Sequence, residues 1–207
     1  MKRVKKRVNN PLLLCIMVRI ALSKWRGKMK DTKRITSISM FVGLVVVLQI
    51  IATFINFGGF PITLTLVPII VGGAIYGPKV GAILGTAFGV VVAMMVITGA
   101  DPSGAAMLAA KPLTTVAACI LKGTLAGFFS ALVYEKMSNK NKLAAILVAS
   151  AVAPIVNTGT LAFTIIAFFD GAFVTLIALF VTVNFMIELL IDVLLAPGLL
   201  RIIDRQK

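Results

Sequence analysis

Histidine is absent from this chain of 207 residues. That removes the imidazole on which a Ser-His-Asp triad, a zinc protease site or a His-ligated haem depends. Acids are scarce as well, seven Asp and Glu against 21 Lys and Arg, for a formal net charge of +14. The two cysteines, Cys15 and Cys119, cannot build a disulfide framework, and both read as free thiols. No Gly-x-x-x-x-Gly-Lys-Ser/Thr loop is present to cradle phosphates, so ATP hydrolysis by that route is excluded. The Gly-x-Ser-x-Gly nucleophile elbow is missing too. Asp101 and Asp170 are isolated carboxylates rather than a metal cluster. Neither an enzyme nor a bound cofactor or metal is expected.

What the chain has in abundance is apolar length. It is 59% hydrophobic, with a mean hydropathy of +1.05, far outside the range of soluble domains. A spanning helix needs roughly 20 mostly apolar residues to cross about 30 Å of hydrocarbon. The stretch from Ile35 to Leu200 has room for six. The expectation is an all-α integral membrane protein with six transmembrane helices in one bundle.

The basic charge is unevenly placed. Twelve of the 21 Lys and Arg lie between Lys2 and Arg34, where Asp31 is the only acid. A basic segment flanking a membrane helix is explained by the positive-inside rule and by attraction to anionic headgroups. Nucleic acid is not an expected partner.

Residues 1–28 form a basic extension. The apolar run 12–18 faintly resembles a signal peptide, but Arg19 interrupts it and no small-residue cleavage site follows. Leu14 before Cys15 makes a poor lipoprotein signal. Trp25-Arg26-Gly27-Lys28 can be encoded by a purine-rich stretch that would place a bacterial ribosome-binding sequence just upstream of the Met29 codon. The expectation is a true start at Met29, a translated leader at 1–28 and a membrane domain at 29–207.

With Pro, Gly and charge as punctuation, the first helix is expected over 35–56 and a short apolar segment with Pro68 over 63–76. A third helix follows over 80–97, then a small-residue stretch ending at Lys111-Pro112. A fourth helix is expected over 113–134, closed by the polar stretch 135–142. A fifth covers 143–169 with a possible break near Pro154, and a sixth covers 173–195 and ends at Pro197-Gly198. Six spans put both termini on one side. Lys79, Lys136, Lys140, Lys142, Arg201, Arg205 and Lys207 share that side with the basic amino terminus, which makes it cytoplasmic.

Gly73, Gly77, Gly81, Gly85 and Gly89 recur at every fourth position. This spacing admits a neighbouring backbone closely, and internal helix packing is the expected use. Gly123 with Gly127, and Ala145, Ala149 and Ala153, are read the same way. Ser39 and Gly43 make a similar pair on the first helix, whose free face suits a second protein.

Polar residues at membrane depth are costly and line cavities or pair with one another. Lys122 lies near the middle of the fourth helix and Asn157 near the middle of the fifth. Asn184, Glu188 and Asp192 recur every fourth residue on the sixth and share a face. A structural reading pairs Lys122 with Glu188 and sends Asp192 to the interface. A functional reading makes Lys122, Asn157 and Asn184 the polar groups of a ligand cavity, with Lys111 at its outer rim. The two are compatible.

Residues 63–85, with Pro68 and Gly77-Pro78-Lys79-Val80-Gly81-Ala82, resemble the second and third helices of substrate-binding S components of energy-coupling factor (ECF) transporters. Residues 121–127 and 153–159 are similar to its vitamin-type members. The resemblance covers about 35–200. It implies a six-helix subunit in a bacterial plasma membrane that captures a vitamin or cofactor precursor from outside. It also implies docking on one transmembrane coupling protein and two ATPases. Family members commonly carry Ala-x-x-x-Ala on the first helix for that docking, where this chain has Ser39-x-x-x-Gly43.

For the ligand, the only Trp is Trp25, and Tyr76 and Tyr134 fall at the cytoplasmic ends of their helices. Stacking is left to Phe163, Phe168 or Phe173. Lys111 and Lys122 favour a small anion such as pantothenate, whose hydroxyl and amide groups suit Asn157 and Asn184. Two other functions stay open: a homodimeric proton-coupled carrier using Glu188 or Asp192, and a membrane scaffold with no small-molecule ligand.

Overall fold

The computed structural model describes residue 32 and residues 34–52, 56–57, 60–61, 65–169 and 171–206. The chain divides into a unit ending at Met40 and a unit from Phe41 to Lys207. In the first unit the opening turns of α1 (Arg34–Ala52) form, with the Thr36 and Ser39 hydroxyls donating to the carbonyls of Thr32 and Ile35.

In the second unit α1 runs on to Ala52. Two short strands, β1 (Asn56–Phe57) and β2 (Phe60–Pro61), pair antiparallel with Phe57 opposite Phe60. Helices α2 (Leu66–Tyr76) and α3 (Pro78–Ile97) then meet at Gly77. Gly77 has φ 93° and ψ 175°, a region essentially restricted to glycine. Pro78 supplies a helix-ready φ at the first position of α3.

A short helix, α4 (Pro102–Ala110), stands where the sequence suggested only a small-residue stretch. Its start is specified by Asp101, whose Oδ1 accepts from the Ser103 and Gly104 amides at 3.1 and 3.2 Å and from the Ser103 hydroxyl at 2.7 Å. Its Met107 packs with Leu161, Ile165 and Phe169.

α5 (Pro112–Met137), α6 (Lys142–Phe168) and α7 (Gly171–Gln206) complete the bundle. Asn141 caps α6, accepting from the Leu143 and Ala144 amides. α6 does not break at Pro154, which lies buried inside a continuous helix. The expected stop of the last helix at Pro197-Gly198 is also overturned, since α7 continues to Gln206. A proline inside a helix costs about 3 kcal/mol. Ala196, Leu199 and Ile203 beyond or beside it are buried, and this packing offsets the lost bond.

Among the described residues, four helices are long and apolar enough to cross a membrane: α1, α3, α5 and α6. α2, at 11 residues, is shorter. α7 has 36 residues, roughly 54 Å at 1.5 Å per residue, well over the hydrocarbon thickness of about 30 Å.

α3 and α5 are the most intimate pair. A Cβ at Gly81 would meet the Gly127 carbonyl, one at Gly85 the Gly123 carbonyl, and one at Gly89 the Cys119 carbonyl. As the residue number rises on α3 it falls on α5, so the helices are antiparallel. Thr86 and Thr124 hydroxyls hydrogen-bond across the seam at 2.8 Å. The fourfold glycine spacing is thus used for internal packing at Gly73, Gly81, Gly85 and Gly89, as expected, but not at Gly77, where a Cβ would meet nothing within 4 Å.

At one end of the bundle, Lys142 pairs with Asp204 at 2.7 Å, and Tyr134 lies within their electrostatic reach. That end also carries Lys79, Lys136, Lys140, Arg201 and Arg205, while Asp101 and Lys111 stand at the other.

Candidate ligand site and the acids beside it

Lys122 sits on α5 one residue before Gly123, whose contact with Gly85 brings α3 close. Its side chain is half-buried, and Nζ lies 5.9 Å from the centre of the Phe88 ring, within cation–π range. Phe88 is itself buried.

The Lys122 ammonium also acts electrostatically on Glu188 of α7. No ion pair joins them: among the described residues the ion pair within 4.0 Å is Lys142 with Asp204. The expected Lys122–Glu188 pairing is therefore a longer-range attraction. It leaves the ammonium's hydrogen-bonding capacity for another acceptor.

Asn157, on the buried face of α6, brings its amide alongside the Glu188 carboxylate. The geometry closes no full hydrogen bond, since Asn157 Oδ1 and both Glu188 oxygens are buried without a partner. Asp192, one turn further along α7, is not at the interface as the structural reading had it but fully buried, again with both oxygens unpartnered. Asn184, one turn before Glu188, is half-buried.

Lys122, Asn157 and Glu188 thus come together from three helices. Lys111 does not join them. It is exposed at the junction of α4 and α5, and eleven residues of helix put it roughly 16 Å from Lys122 along the axis. Phe163 is 70% exposed and Phe168 50% exposed. The Phe173 side chain lies outside the described residues, as do Trp25, Asp170 and the leader.

Some buried polar residues escaped the sequence reading. Thr65, fully buried at the start of α2, donates to Gln49 Oε1 of α1 at 2.8 Å. A lone Gln in an otherwise apolar span was the signal that pointed to it. Ser150, seven residues before Asn157 and so on the same face of α6, is fully buried with an unpartnered Oγ.

A helical bundle with several helices of membrane-crossing length and polar groups gathered at their mid-length has the character of a multi-pass membrane protein. Residues 33–200 match the family described as ECF transporter, substrate-specific component, and the chain belongs to that family. No curated protein matches the chain. Its membership makes it a substrate-specific transporter subunit.

Proposed function

We propose that this protein is the high-affinity capture subunit of an ATP-driven ECF uptake transporter for a vitamin or cofactor precursor, with a small carboxylate compound such as pantothenate as ligand. Family membership supports the transporter role. The observation that carries the ligand class is Lys122: a half-buried ammonium at mid-helix, near Glu188 but not ion-paired with it. In a low-dielectric site such a cation stabilises a carboxylate far more than it would in water.

On this reading Asn157 and Asn184 hydrogen-bond the ligand's polar groups, Lys111 attracts the anion at the rim, and Phe163 borders the entrance. The chain is a six-helix protein of a bacterial plasma membrane, with α1, α3, α5, α6 and α7 long enough to cross it and α2, roughly 16 Å long, as a short sixth segment. Its basic end, with both termini, faces the cytoplasm. One coupling protein and two ATPases complete the transporter, and the Ser39-x-x-x-Gly43 face of α1 docks on the coupling protein.

Purification from native membranes tests the assignment. Two ATPases and a coupling protein should co-isolate, and pantothenate should bind the isolated chain. Proton-driven uptake by the chain alone in liposomes would instead establish the carrier reading, which the buried Glu188 and Asp192 favour.

A further inference from the structure

The Phe88 ring is held in place from both sides. Gly85, one turn before it on α3, lies against the Gly123 carbonyl of α5, and Gly89, the next residue, lies against the Cys119 carbonyl. Thr86 and Thr124 bond across the same seam at 2.8 Å. A Cβ at Gly123 would also strike the ring itself, so the ring occupies space on α5 that only a glycine leaves open. Phe88 is 2% exposed, and the residue on α5 immediately before Gly123 is Lys122.

Lys122 Nζ lies over the face of this ring, 5.9 Å from its centre. Among the described residues it forms no ion pair. The negative face of an aromatic ring attracts an ammonium, more strongly where water is excluded. A ring carries no net charge, so it holds the ammonium without neutralising it. Glu188, acting on Lys122 from α7, is the competing partner. A Lys122–Glu188 ion pair would cancel the positive charge that an anionic ligand needs.

We propose that Phe88 is the positioning residue for Lys122: its ring face seats the ammonium and keeps it from pairing with Glu188. The rigid α3–α5 seam fixes the ring, and the ring in turn fixes the charge. The consequence for the ligand is a preference for an anion over a neutral compound of the same shape. That consequence rests on the proposed function, whereas the seat does not.

The seat is tested first without ligand, on the purified full chain. Mono-, di- and trifluorophenylalanine placed at position 88 alone keep the ring's shape while draining negative charge from its face. The melting temperature should fall stepwise along this series, and should stay level along it when Lys122→Met is also present. A flat series, or the same decline with and without Lys122, would overturn the seat. Binding is then titrated. Pantothenate affinity should drop by about fivefold at the trifluoro ring, as a cation–π contact of ordinary strength implies, while affinity for a neutral pantothenate analogue is unchanged. Phe88→Leu should lose the preference for the anion, and adding Glu188→Gln should restore part of it by removing the competing partner. A ring with a merely structural role would weaken both ligands alike and gain nothing from Glu188→Gln, and that result would overturn the proposal. A Lys122-dependent melting series in a protein that fails to bind pantothenate would sink the ligand reading and leave the seat standing.

Discussion

Gly85 and Gly123 face each other across the α3–α5 seam so closely that each one's carbonyl oxygen occupies the place where a Cβ on the other would stand. Neither position can accept a methyl group without moving backbone. Gly123→Ala should therefore cost about 1–3 kcal/mol, the range for overpacking, seen as a lower melting temperature of purified protein. Gly159→Ala, where a Cβ meets nothing within 4 Å, is the contrast and should be neutral or stabilising by up to about 1 kcal/mol. The reverse order of the two variants would refute the packing.

Gly77 is governed by backbone rather than space, since nothing lies within 4 Å of its Cβ position and its φ is 93°. Gly77→Ala should destabilise by about 1–3 kcal/mol through strain alone. A circular-dichroism melt unchanged by the substitution would show that the α2–α3 corner has another permitted geometry.

Lys122→Met is expected to weaken pantothenate binding by about 1.5–3 kcal/mol, the range for a charge-assisted hydrogen bond. Lys111→Met, at an exposed position, should weaken it less. Isothermal titration with pantothenate, riboflavin and a neutral pantothenate analogue measures this. Unchanged affinity in Lys122→Met, or tight riboflavin binding, would rule out the anion site.

For docking, Gly43 is exposed, and a side chain there meets nothing within 4 Å in the chain itself. Gly43→Leu should leave ligand binding by the isolated chain intact and block transport by the assembled complex. Loss of both together would place Gly43 in internal packing and remove α1 as the docking face.

A chain beginning at Met29 should insert, bind and transport like the full-length protein if residues 1–28 are a translated leader. Uptake assays on the two forms side by side decide it, with reduced affinity in the shorter form counting against the leader.

Apolar run lengths, with Pro and Gly as punctuation, located most helices because bilayer thickness and backbone hydrogen bonding leave the chain few alternatives. The same physics made the glycine ladder of α3 legible as a packing face. The resemblance carried by residues 63–85 named the family before any geometry was known. α4 was legible in principle, since Asp101-Pro102-Ser103 is a helix-start pattern, but the small residues that follow have no periodicity to extend it.

Tertiary structure decided the rest. Pro154 and Pro197 are local helix breakers whose cost is offset by packing that no local pattern reports. Spacing along α7 put Glu188 and Asp192 on one face, but only the neighbouring helices determined that this face is fully buried. Distance in space likewise kept Lys122 out of an ion pair with Glu188 and set it against Phe88. By itself the sequence determined which segments leave water and which residues are costly there. Which costly residues meet depends on side chains brought together from α3, α5, α6 and α7, and only their packing decides it.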